Sequence, residues 1–159
     1  MGEPLPAKVV AYLAAHNVAT LATAGPDGPW ASAVFFAADG ADLIFLSSPK
    51  SRHGRNLAAD PRCAATVQSD YQNWTEIKGV QLEGRVTPLS GADEVCARLI
   101  YQEKFPFVKP VCGIAAPLAK ALAGISWYRL HVERMLFLDN SLGFGHRDEL
   151  IDRLSNYVD

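Results

Sequence analysis

Residues 47–67 read SSPKSRHGRNLAADPRCAATV. Lys50, Arg52, His53 and Arg55 fall within six residues, in a chain whose formal net charge is −2. Ser48 followed by Pro49 has the form of a helix start: a capping hydroxyl, then a proline at the first helical position, where its missing N–H costs nothing. A helix N-terminus presents unpaired backbone N–H groups and a partial positive charge. Ser47, Ser48 and Ser51 would add hydroxyls, and Arg52 can grip a phosphate with two parallel hydrogen bonds. The same composition also suits a solvated surface helix, and the cation cluster alone does not choose between the two.

Self-contained catalytic signatures are missing. The chain has no G-x-S-x-G elbow, no H-E-x-x-H and no P-loop. His16, His53, His131 and His146 are far apart and lack metal-ligand spacing, so no metal site is expected. If the protein is an enzyme, a cofactor carries the chemistry. The three cysteines, Cys63, Cys96 and Cys112, form no C-x-x-C and leave one unpaired. That argues against a disulfide framework and for a reduced, cytoplasmic setting. Cys63 and Cys96 are expected as buried small hydrophobes, and Cys112 as the thiol with access to solvent.

With 159 residues, 49% hydrophobic and 20% charged, the chain fits one globular domain spanning 1–159. A pI near 6.1 gives no reason to expect nucleic acid or an anionic membrane as partner. The N-terminus lacks a basic region followed by a continuous apolar run. The apolar stretch 113–125 is broken by Pro117 and Lys120 and is too short to span a bilayer.

These residues need elements to position them. Apolar positions at helical spacing predict a helix over 6–16. Strands are predicted at 18–24, 30–38 and 43–47, joined by the turn chemistry of GPDGP and DGAD. The helix that opens at Pro49 is ended by Asp60-Pro61. Strands follow at 62–68 and 77–89, the second with Val80, Leu82, Gly84 and Val86 on one side. Between them lies a loop carrying Trp74, expected to pack at an interface or to cover a ligand.

Residues 90–105 read as a helix capped by Ser90, with Val95 and Leu99 on its apolar face. Residues 106–124 resist assignment. Residues 126–139 are a strand, on which Trp127 is expected in the core with Tyr128 facing out. The rest reads as a turn and tail with a short helix. LGFGHR, 142–147, is a lone G-x-G without a strand–helix frame, and its glycines are expected to serve structure. Regularly spaced short strands joined by hairpins predict a mainly β chain, a barrel with inserted helices.

The order of SSPKSRHGRN, DPR, the strand RCAATV and then KGVQLEG resembles the FMN-binding split barrel of the pyridoxamine 5′-phosphate oxidase-like superfamily. Ser47-Ser48 stands for that family's Thr-Asn, and Ser51-Arg52-His53 for its Ser-Arg-Lys. Asp60-Pro61-Arg62 stands for Asn-Pro-Arg, and Gly79 for a flavin-contacting Gln. HNVATLAT, SRHGRN, IKGVQLEG, KFP and DNSLGFGHR are similar to the bacterial YhbP-like branch over nearly the whole chain.

The resemblance implies a six-stranded antiparallel Greek-key split barrel that dimerises, with FMN sites at the interface. It places the phosphate on Ser47, Ser51, Arg52 and His53, with Lys50 beside them, and counts Ser48 among the cofactor-binding residues. The isoalloxazine edge would meet main-chain groups of Ala31, Ser32, Ala33 and Val34, and Gly79 would approach the ring. An oxidoreductase acting on a small molecule follows as the expected function.

The chain departs from the oxidase itself. Ala31 and Phe36 replace an Arg and a Lys that contact flavin, and His53 replaces a phosphate-binding Lys. The sequence RLH, 129–131, resembles the oxidase's substrate-binding Arg-x-His, but its spacing to the oxidase's tryptophan differs and Glu133 stands where the oxidase has Arg, so it reads as coincidence. Pyridoxamine phosphate oxidation is therefore not the favoured activity. Alternatives on the same fold are a haem- or deazaflavin-binding protein, with His146 available for haem, and a flavin-binding module without catalysis.

Overall fold

The computed structural model describes residues 4–109 and 120–154. Cys112 and most of the unassigned stretch lie outside them. The chain runs α1 (Ala7–Ala15), β1 (Val18–Gly25), β2 (Gly28–Asp39), β3 (Asp42–Ser47), α2 (Arg52–Ala59), β4 (Arg62–Gln68), β5 (Lys78–Pro88), α3 (Gly91–Lys104), β6 (Ser126–Asp139) and β7 (Arg147–Asp152). Short 3-10 turns occur at Trp74–Glu76, Pro106–Val108 and Asn140–Leu142.

The strands are ordered β3-β2-β1-β4-β5-β6-β7, and β3 also pairs with β6. That last ladder closes β1 to β6 into a six-stranded antiparallel barrel. β7 is added to the outer part of β6. The barrel interior holds Leu21, Phe36, Phe45, Val67, Val80, Leu130 and Met135, all essentially inaccessible. Val9 and Leu13 of α1 join this core. Each such side chain contributes about 1.5–3 kcal/mol by leaving water.

Alternation explains the strands. In β5, Val80, Leu82, Gly84 and Val86 are buried while Gln81, Arg85 and Thr87 are exposed. Gly84 is obligatory, because a Cβ there would lie 1.9 Å from the His131 carbonyl at a register shift between β5 and β6. Lys104 closes the C-terminal end of α1: its Nζ donates to Leu13 O at 3.2 Å and His16 O at 2.5 Å. It also lies 4.3 Å over the Phe36 ring. Those carbonyls have no partner within the helix.

Several expectations are corrected. α2 begins at Arg52, and Ser51, not Ser48, is its cap, accepting from Gly54 N at 3.0 Å. Pro49 belongs to the preceding turn, in which Ser51 N donates to Ser48 O. On α3, Val95 and Leu99 face solvent, and the buried face is Ala97 and Tyr101. Both pairs have helical spacing; two residues rotate the helix by about 200°, so the choice of face was made by packing. Tyr101 meets Trp127 edge-on at 5.3 Å.

Because α3 covers the outside of the barrel there, Trp127 and Tyr128 are both buried, in two separate clusters. Cys63 is buried, whereas Cys96 is exposed. The expected short helix near the C-terminus is instead strand β7.

Candidate functional site

The barrel splits between β2 and β3. Their ladder covers only Phe36 to Asp39 on β2 and Asp42 to Phe45 on β3. Beyond it, β2 continues toward Gly28 paired with β1 alone, while β3 ends at Ser47 and turns into α2. Phe36 donates its amide to Asn17 O on the β1 side. Strand alternation therefore puts the N–H and C=O of Ala31 and Ala33 on the open edge and commits those of Ser32 and Val34 to β1. Of the four main-chain candidates, two are available. Ser32 offers its side chain instead: its Oγ is buried and has no partner, the sole such side-chain atom among the described residues.

The turn before α2 borders this opening. Ser47 is buried, and its Oγ contacts His53 Nε2. It also lies 3.4 Å from Ser51 Oγ. Ser51 Oγ donates to Ser48 O at 2.7 Å, and Ser48 Oγ accepts from Lys50 N at 3.2 Å. The turn folds so closely over the helix that a Cβ at Gly54 would sit 2.5 Å from Ser48 O. The amides of Arg52 and His53, the first two of α2, have no acceptor among the described residues. Burial pushes the His53 imidazole below its ordinary value, so it is neutral near pH 7.

The four cations do not converge. Arg52 lies with its guanidinium carbon 4.4 Å from the centre of the Trp30 ring, and its Nη2 donates to Asp27 O at 3.0 Å. Arg55 is spent on the Lys50 carbonyl. Lys50 and its ammonium stay at the exposed tip of the turn. Below them Asn56 Nδ2 donates to Thr23 Oγ1 at 3.1 Å, both side chains buried, which anchors α2 on β1. Asp60-Pro61-Arg62 is a structural corner: the Arg62 guanidinium holds the Asp60 carboxyl down to about 2, and Pro61 O accepts from Val86 N.

Gly79 sits apart. It opens β5, paired with Gln68 and Leu138, and β1 and β4 stand between it and β2 in the sheet. Arg129 and His131 serve the β2–β3 turn, reaching Asp39 at 2.7 Å and Asp42 at 3.2 Å. The DNSLGFGHR motif is a clasp. Asn140 Nδ2 donates to Trp74 O at 2.8 Å, and its Oδ1 accepts from Gly145 N at 3.0 Å. Asp139 caps the turn through Ser141. Gly143 and Gly145 take positive φ, at 139° and 72°.

Trp74 and Phe144 meet edge-on at 5.8 Å, both exposed. His146 Nε2 is held by Asp148 at 2.9 Å. A cavity of about 710 Å³ lies elsewhere, lined by Leu13 of α1, Ala38 of β2, Gly40 of the β2–β3 turn, Ile100 of α3 and Leu150 of β7. Among the described residues no group of His, Cys, Asp and Glu could hold a metal ion.

Sequence reasoning brought Ser47, Ser48, Ser51 and His53 together correctly as neighbours. It missed Trp30, the Asp27 carbonyl and the Ser32 hydroxyl. An aromatic just after a Gly-Pro turn was the only signal for the first. The donors at the turn suit an anionic oxygen group: two free amides, the Ser47 hydroxyl and a nearby ammonium; the Ser51 hydroxyl, expected as a phosphate ligand, is instead committed to Ser48 O. The open β2 edge and the unpartnered Ser32 hydroxyl suit a polar planar group beside it.

A family model described as pyridoxamine 5′-phosphate oxidase matches residues 5–139. UPF0306 protein plu4501 of Photorhabdus laumondii is 30% identical over 138 residues, which cover 86% of this chain and 88% of that one. UPF0306 protein YhbP of Salmonella paratyphi A is 28% identical over 138 residues, covering 86% of each. Among solved structures, a heme binding protein from Mycobacterium smegmatis is 28% identical with a TM-score of 0.68. The match covers 87% of this chain and 55% of that one, so this chain spans about half its length. With the model covering most of the chain and the relatives matching nearly end to end, the chain belongs to the pyridoxamine 5′-phosphate oxidase family, in its UPF0306 (YhbP) branch.

Proposed function

We propose that the chain binds FMN and serves as an oxidoreductase, passing electrons or hydride between a reduced donor and a small molecule. The observation that carries this reading is the start of α2. The amides of Arg52 and His53 lack acceptors there, beside the Ser47 and Ser51 hydroxyls, at the open edge of β2. The donor set fits a phosphate monoester, and the unpartnered Ser32 hydroxyl fits a polar ring edge. FMN, when bound, supplies the redox chemistry.

The chain's own residues bind and orient. Ser47 offers its hydroxyl to the phosphate and Lys50 adds charge, while Ser51, whose hydroxyl hydrogen goes to Ser48 O, shapes the turn. Ala31 and Ala33 offer main-chain groups, and Ser32 a hydroxyl. No side chain at the split is placed as a general acid or base.

The site is completed by a second copy. Gly79 lies three strands away from β2 within one chain, with β1 and β4 between them, so the approach of Gly79 to the ring that the resemblance implies would come from a second copy. Away from the part of β2 that α3 covers at Ala37, the outer face of β1, β2 and β4 presents Ala22, Ala31, Ala33 and Ala64 to solvent, with Phe35 and Val18 exposed beside them. Small and apolar side chains on an open sheet face suit a homodimer. No helix among the described residues is long and apolar enough to cross a membrane.

The test is an absorbance spectrum of the purified protein, with and without added FMN. A flavin spectrum, or saturable change on titration, supports the proposal. Colourless protein with no response discards it. The heme binding relative favours haem as a second ligand class. Haem titration of wild type and His146→Ala separates the two: no Soret change in either protein removes the haem reading.

A further inference from the structure

We propose that Trp30 is a positioning residue that presents Arg52 to the phosphate and so sets the preference for FMN over riboflavin. This rests on the FMN reading above. Arg52 opens α2, and its own amide is one of the two without an acceptor. Its side chain crosses to the β1–β2 turn, where the guanidinium carbon lies 4.4 Å from the Trp30 ring centre and Nη2 donates to Asp27 O. Its Nε and Nη1 hydrogens have no protein acceptor among the described residues, so part of the donor fork stays available.

Trp30 is 40% exposed and meets no other aromatic ring among the described residues. Its ring contact is with the Arg52 guanidinium. By strand alternation Trp30 shares a face of β2 with Ser32, whose hydroxyl is unpartnered. Two residues along a strand span about 7 Å. One face of the split thus carries a held cation at one end and a free hydroxyl beside it. An anionic tail attached to a polar ring matches that pair; a neutral ring does not use the cation.

Stacking on indole limits the rotamers that a free arginine would sample and leaves one guanidinium face poorly hydrated. Both effects lower the cost of meeting a phosphate. Lysine cannot stack in the same planar way, so Arg52→Lys keeps the charge and loses the positioning.

The experiment titrates the full-length protein with FMN and with riboflavin, read by flavin fluorescence. The proteins are wild type, Trp30→Leu, Trp30→Phe, Arg52→Lys, Arg52→Ala and the Trp30→Leu/Arg52→Ala double variant. Circular dichroism and thermal melting of each free protein establish that it is folded. Expected are a loss of FMN affinity of about tenfold or more for Arg52→Ala and of about three- to tenfold for Trp30→Leu and Arg52→Lys. Trp30→Phe, which keeps an aromatic face, should stay within about twofold. Riboflavin affinity should be unchanged throughout, and the double variant no weaker than Arg52→Ala.

Wild-type FMN affinity in Trp30→Leu overturns the inference alone, as do equal losses for FMN and riboflavin or additive losses in the double variant. If Trp30→Leu does not fold, Trp30→Phe and Arg52→Lys decide. Arg52→Lys matching wild type then overturns the inference. A wild-type protein that binds neither flavin overturns the FMN reading itself, and this inference with it.

Discussion

Asn56 and Thr23 share a buried hydrogen bond of 3.1 Å that pins α2 to β1. Gly25 accommodates it, since a Cβ there would fall 2.0 Å from Asn56 Oδ1. Asn56→Ala leaves the Thr23 hydroxyl buried without its donor. A loss of about 1–3 kcal/mol is expected in urea unfolding. FMN affinity should fall as well, because the start of α2 is no longer held against the split. Unchanged stability would show that this pair does not anchor the helix.

Gly54 carries a second prediction. Gly54→Ala places a methyl 2.5 Å from the Ser48 backbone oxygen, and backbone cannot yield as a flexible side chain does. The turn that holds Ser47, Ser48 and Ser51 must open. FMN titration of a folded Gly54→Ala protein should show at least a tenfold loss, of order 1.4 kcal/mol. Wild-type affinity would separate the turn from the ligand site.

His53 makes binding depend on pH. Burial lowers its value in the free protein. An adjacent phosphate favours the imidazolium and raises it in the complex. Binding then takes up a proton, so affinity rises as pH falls from the raised value toward the free-state value, which lies below 6.5. Protonation of the phosphate, near pH 6, works in the opposite direction. His53→Lys isolates the imidazole: its FMN affinity should be flatter than wild type between about pH 8 and 6.5. Identical profiles would place His53 outside the phosphate's reach.

The clasp predicts local loosening. Asn140→Ala removes the bonds to Trp74 O and Gly145 N together. A cost of about 2–3 kcal/mol is expected for two buried or half-buried bonds. Hydrogen exchange should quicken at both 74–77 and 139–146. Faster exchange at only one of the two would mean that the loops are not tied by this side chain.

The outer sheet face predicts the assembly. Ala22 and Ala64 are cross-strand partners, both exposed in the single chain. An arginine at Ala64 should leave the fold within about 0.5 kcal/mol of wild type. In a dimer built on this face it should drive dissociation, seen by sedimentation equilibrium, and weaken FMN binding with it. A variant that stays dimeric puts the interface elsewhere.

Much of the scaffold was legible because its signals are local. β4 and β6 follow from alternation and β-branched or aromatic content, and both were placed with the observed bounds. β7 was not, since Arg147–Asp152 does not alternate cleanly and takes its conformation from the β6 edge. The start of α2 was misplaced because Ser-Pro suits either a helix start or a turn, and the close approach of Gly54 to Ser48 O decided it. At the candidate site, the serines and His53 are near in sequence, so their grouping was legible. The Arg52–Trp30 contact joins residues far apart in the chain through a turn whose geometry the sequence does not spell out. The open edge of β2 depends on where two strands part, which no single residue type marks.

β7 has a consequence for how the molecule behaves in a crowded solution. It covers the part of β6 that β3 leaves unpaired and becomes the last strand of the described sheet. Four of its six residues, Arg147, Asp148, Glu149 and Asp152, are charged. A free edge of backbone donors and acceptors invites strands of other molecules, and charge along it discourages them. β7 therefore works as a guard against runaway sheet growth, so that the proposed dimer would form on the alanine-lined outer face and not by strand addition at this edge.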